Sequence, residues 1–216
     1  MDMRKKSKSS MEESLRAFVI LTLFIFFSFM LIKMEENLKI TILNVLLSLL
    51  FLSSSLYYFR NSFQKLGLTR KKFKEGIFYG FVAFFFVLFF TILIEIILQL
   101  LGIQTSTNVE EIISMNVILL LSAVFISPIC EEIFFRGVAI DFLEEKLKNK
   151  NLSIIISSLL FSIFHIGYSS GLEVFGAFVA GLIFAYFYKK SKTLFTPMFA
   201  HFLYNLLTIS LIILNF

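Results

Sequence analysis

Ionisable side chains are rare within the apolar stretches of this sequence, and the few that occur there are suited to acid–base chemistry. The stretch SPICEEIFFRG contains Glu131, Glu132 and Arg136, and the only two histidines, His165 and His201, lie in later apolar stretches. A charge near the bilayer centre costs at least ~2.5–3.5 kcal/mol, so such groups normally face a bundle interior or a wet cavity and pair there. We therefore expect one shared site on three helices.

Helical spacing predicts how these residues are arranged. Glu132 and Arg136 are four residues apart, share one helix face and can pair. Glu131 is rotated by about 100° from Glu132, so we expect Glu131 to face the cavity while Arg136 anchors Glu132. His201 and Asn205 are also four residues apart, which places two polar groups on one face of a later helix.

Both prolines of the chain lie about one turn before a residue of the candidate site. Pro128 lies three residues before Glu131, and Pro197 lies four residues before His201. A proline inside a helix removes a hydrogen bond and kinks the chain. In a membrane, the freed backbone is tolerated where a cavity or a neighbour satisfies it. The two prolines therefore favour a water-accessible pocket.

The composition predicts helices that cross a membrane. Hydrophobic residues make up 58% of the chain and charged residues 16%, and the mean hydropathy is +0.88. A hydrocarbon core ~30 Å thick needs about 20 helical residues. The apolar runs are 15–33, 38–59, 75–101, 115–140, 152–168, 172–188 and 193–214. We predict an all-α, polytopic membrane bundle of about seven transmembrane helices, with 141–150 as an amphipathic extension.

Basic residues mark one side of this predicted bundle. Seventeen of the twenty lie in the N-terminus and in the predicted second, fourth and sixth loops, whereas the opposite loops hold only Lys33 and Lys39. The positive-inside rule then predicts a cytoplasmic N-terminus. The basic loops favour contact with anionic lipid headgroups, and no nucleic-acid partner is expected. The single cysteine, Cys130, excludes an intrachain disulfide and a multi-cysteine metal site.

Three short motifs, in order on three predicted helices, resemble one family. EEIFFR (131–136) resembles the EExxxR motif of the CPBP family of intramembrane proteases, FSIFH (161–165) its FxxxH motif and HFLYN (201–205) its HxxxN motif. That family comprises the Rce1-like type II CAAX prenyl endopeptidases and the bacterial Abi or bacteriocin-immunity proteins. The resemblance implies a catalytic core over 106–216, with 1–105 as accessory transmembrane helices, in one integrated membrane domain.

The resemblance also implies a role for each motif residue. Glu131 would be the general base that activates a water, assisted by His165. His201 and Asn205 would donate hydrogen bonds to the developing oxyanion. Depth along the predicted helices agrees for Glu131 and His201, but it places His165 nearer the outer edge of the bilayer.

Supporting positions and a metal alternative complete the predicted site. The resemblance implies that Glu132, Arg136 and Phe161 support the catalytic residues, and no cofactor is expected. A zinc-dependent version of the same protease stays open as an alternative. Its three ligands would be Glu131, His165 and His201.

The function that this resemblance implies is that of an intramembrane endopeptidase, which we expect to be a multi-pass protein of a prokaryotic cell membrane. It would hydrolyse a peptide bond near the C-terminus, or in the membrane-proximal part, of a lipidated or hydrophobic peptide. Bacteriocin immunity and the processing of a secreted peptide are possible biological roles. Two alternatives from other classes are a non-catalytic membrane immunity or scaffold protein and a small transporter or proton relay, because buried Glu and His also mark proton pathways.

Overall fold

The part of the chain that a computed structural model describes is helical throughout its regular elements. The described residues are 48–49, 51–53, 55, 57–58, 63–103, 117–165 and 171–214. We label the five principal helices α1 to α5 in chain order. They are Arg70–Leu100, Val117–Leu147, Lys150–Ile163, Gly171–Ser191 and Phe195–Leu214. The predicted all-α class is confirmed.

Four helical segments of the described ranges are long and apolar enough to cross a membrane. These are Gln64–Leu100, Val117–Leu147, Gly171–Ser191 and Phe195–Leu214. The protein is thus an integral, multi-pass membrane protein, as its composition predicts. The predicted span 15–33 lies outside the described residues, and 38–59 lies largely outside them. The count of seven and the cytoplasmic N-terminus stay predictions.

Helix α1 lies against α5 through two glycines. A Cβ added to Gly76 would lie 2.5 Å from Phe195 Cβ, and one added to Gly80 would lie 2.9 Å from Phe199 Cδ1. The missing side chains let the two backbones approach closely. Many of the large apolar side chains of α1 remain exposed in the bundle, as expected for a helix that faces lipid.

Helix α2 is interrupted by two π-helical segments, Ser122–Ile126 and Ile133–Ala139. Between them lies the short α-helical stretch Ser127–Glu132, which carries Pro128 at its start. Proline has no N–H to donate and its ring crowds the preceding turn, so the wider π turn before Pro128 accommodates it. Isolated π turns inside α-helices are frequent at functional sites.

Helix α3 is shorter than predicted. It begins after Asn149, whose side chain accepts a hydrogen bond from the Leu152 N–H at 3.1 Å, and it ends at Ile163 after 14 residues. Its length is about 21 Å, less than the ~30 Å of a hydrocarbon core. The prediction of a full-length span over 152–168 is wrong for this helix, because hydropathy continues past the point where the helix ends. His165 lies in the turn that follows.

Two polar contacts show that the basic segments lie together at one end of the bundle. Lys189 Nζ, near the end of α4, lies 2.6 Å from Glu144 Oε1 near the end of α2. Lys72 Nζ, in the first turn of α1, donates to the Ser191 carbonyl at 3.2 Å. The basic residues around these three helix ends therefore share one side, as the charge pattern predicts.

Candidate active site

A buried cluster of three charged or ionisable side chains joins α2 to α5. Arg136 Nη1 donates to Glu132 Oε1 at 2.9 Å. His201 Nδ1 lies 2.9 Å from the same oxygen. Glu132 is 0%, Arg136 1% and His201 5% exposed, so all three are withdrawn from solvent and lipid. The four-residue spacing predicts the Glu132–Arg136 pair, but nothing in the sequence predicts that Glu132 also contacts His201.

Arg136 is enclosed on its remaining sides. Its Nη2 donates to the Gly181 carbonyl of α4 at 3.3 Å. Its guanidinium carbon lies 4.4 Å from the centroid of the Phe161 ring and 5.4 Å from that of Phe184. A buried guanidinium is tolerated where a carboxylate, further acceptors and aromatic faces replace its hydration. Arg136 thus connects α2 with both α3 and α4.

Both histidine rings contact the same aromatic ring, that of Phe161. The centroid of Phe161 lies 4.7 Å from that of His165 and 5.7 Å from that of His201. His201 also stacks on Phe184 at 5.3 Å with an interplanar angle of 26°. His165 Nδ1 lies 2.9 Å from the Phe161 carbonyl oxygen. Helix α3 ends at Ile163, so His165 lies in the turn that follows, where its ring contacts Phe161.

Glu131 adjoins this cluster without being bonded to the histidines. Its side chain is partly exposed, but its Oε2 is buried and has no hydrogen-bond partner in the described part of the chain. Its charge lies within electrostatic reach of Arg136 and of Cys130. Glu131 therefore offers a free acceptor oxygen. The Oε2 of Glu132 is also buried without a partner among the described residues, but Glu132 is held through its Oε1 by Arg136 and His201.

Asn205 binds the backbone of α2. Its Nδ2 donates to the Ala123 carbonyl oxygen at 2.9 Å, inside the first π segment. His201 and Asn205 thus both reach from α5 to α2, as their shared helix face predicts, but they contact points nine residues apart. The partner of Asn205 is a main-chain atom, which residue types and spacing do not reveal.

Metal ligation receives no geometric support within the described ranges. No group of three or more His, Cys, Asp or Glu side chains there is arranged to hold a metal ion. The donor set of the zinc alternative is nevertheless present in the sequence, so the zinc-dependent mechanism stays a prediction. The proposed zinc ligands are again Glu131, His165 and His201.

Two further residues of the cluster carry a weak signal in the sequence or none. Gly181 belongs to a run of small residues at four-residue spacing, which predicts close packing but not a carbonyl that accepts from Arg136. Phe184 is one of thirty phenylalanines, and nothing in its spacing distinguishes it. Such aromatic contacts are found only once the helices are docked.

The fold and the cluster define a class, a polytopic helical membrane protein with a buried Glu–Arg–His site. Residues 113–207 match the family model described as type II CAAX prenyl endopeptidase Rce1-like. The matched segment contains all three motifs and lies within the predicted core 106–216. This match agrees with the resemblance carried by the motifs: residues 113–207 are similar to the Rce1-like type II CAAX prenyl endopeptidases.

Two curated relatives are similar over part of their length. An uncharacterized protein of Mycoplasma capricolum subsp. capricolum is 34% identical over 148 residues, which are 61% of this chain and 43% of the relative. The protein named "Putative membrane peptidase YdiL" of Bacillus subtilis is 30% identical over 103 residues, 47% of this chain and 40% of the relative. The aligned parts thus span less than half of each relative. No solved structure matches at a significant level.

Proposed function

We propose that this protein is a membrane endopeptidase that cleaves a lipidated or hydrophobic peptide near its C-terminus or close to the membrane. The observation that carries the proposal is the unpaired, buried Oε2 of Glu131 beside the Glu132–Arg136–His201 cluster. The match of residues 113–207 to an endopeptidase family and the name of the Bacillus subtilis relative support it. The bacterial relatives fit a role in a prokaryotic cell membrane.

Glu131 is assigned the role of general base. Its Oε2 takes a proton from a water molecule, whose oxygen attacks the scissile carbonyl carbon. The carbonyl electrons move onto oxygen and return when the C–N bond breaks, and the proton passes to the departing amine. A positioned carboxylate base contributes roughly 10²–10⁴-fold to such a step.

His165 is held in a state that suits a water-binding role. A carbonyl oxygen can only accept a hydrogen bond, so the contact of His165 Nδ1 with the Phe161 carbonyl requires the proton to be on Nδ1. In the neutral ring, Nε2 then carries the lone pair and accepts a hydrogen bond. We assign His165 Nε2 to hold the attacking water next to Glu131.

The contact with Glu132 fixes the position of the proton on His201 in the same way. Glu132 is paired with Arg136 and is therefore an ionised carboxylate, which only accepts hydrogen bonds. His201 Nδ1 is consequently the donor, and Nε2 is the nitrogen left for the substrate. In the protonated ring, this Nε2–H donates to the developing oxyanion, where a preorganised donor is worth about 10²–10³ in kcat. Glu132 and Arg136 hold the imidazole rather than react.

Peptide cleavage by the reconstituted protein tests the proposal. The purified chain is placed in lipid vesicles with a farnesylated CAAX peptide and a library of hydrophobic leader-type peptides, and the products are identified by mass spectrometry. Wild type is compared with Glu131→Ala and with Glu95→Ala, a matched control that removes an exposed carboxylate of α1. Cleavage that Glu131→Ala abolishes and Glu95→Ala retains supports the proposal.

Two other outcomes separate the alternatives. Cleavage that a chelator abolishes and zinc restores would favour the zinc-dependent protease. Folded wild-type protein that cuts no peptide of either set would favour a non-catalytic membrane immunity or scaffold protein.

A further inference from the structure

Pro128 leaves a backbone acceptor of α2 without its helical donor. In the π segment before it, the Ser127 N–H donates to the Ser122 carbonyl, five residues back. The next bond of this series would run from residue 128 to the Ala123 carbonyl. Pro128 has no N–H, so that bond is not made within the helix.

A side chain from another helix occupies this acceptor. Asn205 Nδ2 of α5 donates to the Ala123 carbonyl at 2.9 Å. An unpaired backbone group in an apolar bundle is costly, because hydrocarbon supplies no donor to replace the missing one. Asn205 therefore compensates directly for the proline.

The two contacts of α5 lie on either side of the proposed base. His201 binds Glu132, just after Glu131 in α2. Asn205 binds Ala123, at the break before Pro128. Helix α5 thus fixes α2 at both ends of the stretch that carries Glu131, although neither α5 side chain is hydrogen-bonded to Glu131.

We propose that Asn205 is a positioning residue: it pairs with the carbonyl that Pro128 orphans and so fixes the orientation of Glu131. This deepens the proposed function and rests on Glu131 being its base. The motif resemblance instead implies that Asn205 donates to the oxyanion. The two roles can be distinguished at residue 128. The positioning role of Asn205 is needed only when residue 128 has no N–H, whereas donation to the oxyanion does not depend on residue 128.

A double-mutant cycle between Pro128→Ala and Asn205→Leu measures this dependence. Leucine keeps the branched shape of asparagine, with the same number of heavy atoms, but donates no hydrogen bond, whereas alanine at 128 supplies an N–H to the preceding turn. Asn205→Leu alone lowers Tm by roughly 3–10 °C in a chain of this size, from the cost of leaving the part-buried Ala123 carbonyl without a donor. In the Pro128→Ala background, the loss of Tm on Asn205→Leu falls to less than half.

The catalytic rate provides a second measurement, one that a purely structural role of Asn205 would not change. At a temperature where all variants are folded, Asn205→Leu lowers kcat and leaves KM near wild type, and Pro128→Ala reduces the size of that loss. A loss of kcat on Asn205→Leu that is equal in both backgrounds would assign Asn205 to the oxyanion and overturn the proposal.

The Tm measurements do not depend on whether the protein cleaves a peptide. Thr208→Val is the matched control, because among the described residues the Thr208 hydroxyl donates to carbonyls of its own helix, at 2.9 and 3.2 Å. If Pro128→Ala does not fold, Asn205→Leu against Thr208→Val still decides, since equal Tm values for these two would refute the pairing role. A cycle with coupled Tm values but no peptide cleavage by wild type would refute the proposed function alone.

Discussion

Replacing Glu132 by glutamine separates the ion-paired carboxylate from its neighbour in the sequence. Glutamine keeps an acceptor oxygen and nearly the same volume, but it removes the charge that Arg136 faces. Because Glu132 is 0% and Arg136 1% exposed, the remaining guanidinium has no water to replace its partner. Glu131→Gln is the matched control, since it makes the same chemical change one residue earlier, at a partly exposed side chain.

The expected cost follows from the burial of the pair. Removing one partner of a buried ion pair costs about 3–5 kcal/mol, and the retained acceptor of glutamine puts Glu132→Gln near the lower end. At about 2–4 °C per kcal/mol for a chain of this length, its Tm falls by roughly 6–12 °C. Glu131→Gln loses no ion pair and lowers Tm by much less.

Thermal unfolding in detergent micelles, followed by far-ultraviolet circular dichroism, measures both values under one condition. A Tm for Glu132→Gln equal to that of Glu131→Gln would refute the argument, because the two carboxylates would then be energetically equivalent. A larger loss at Glu131 would contradict the assignment of the pair.

Two further predictions concern packing between α3 and its neighbours. Ser157→Ala removes the hydroxyl that donates to the Phe135 carbonyl of the second π segment at 2.7 Å, so the free energy of unfolding falls by about 1–3 kcal/mol; an unchanged Tm would contradict this. Gly181→Val adds a Cβ at 3.1 Å from Ser158 Cβ and lowers stability by about 1–3 kcal/mol. Gly176→Val, with nothing within 4 Å of an added Cβ, is the control, and equal effects at the two glycines would disprove the close approach.

The membership of the site could be predicted because charged residues are rare in apolar helices. With only two histidines in the chain, His165 and His201 stand out in the sequence alone. The pair Glu132–Arg136 follows from four-residue spacing, and the pair is present in the structure.

The partner of His201 could not be predicted because helical rotation is altered locally. Each extra residue in a π turn rotates the residues that follow it about the helix axis, by about 100° relative to an ideal α-helix. Two such segments flank Ser127–Glu132, so an ideal α-helix does not tell which carboxylate reaches α5. The structure gives this contact to Glu132.

Two other features could not be predicted from the sequence, for a different reason: the end of α3 and the contact of Asn205. Hydropathy averages over a window and does not locate the last helical residue, Ile163. The Ala123 carbonyl is a main-chain atom, and its need for a donor becomes visible only when the π turn and Pro128 are seen together.

The role of Glu131 as general base is tested most directly by the kcat of Glu131→Gln on a peptide that wild type cleaves, measured where both proteins are folded. A general-base role for Glu131 predicts a loss of at least about 10²-fold in kcat, the lower range for a general base, with Tm close to wild type. A folded Glu131→Gln protein that cleaves at the wild-type rate would contradict it.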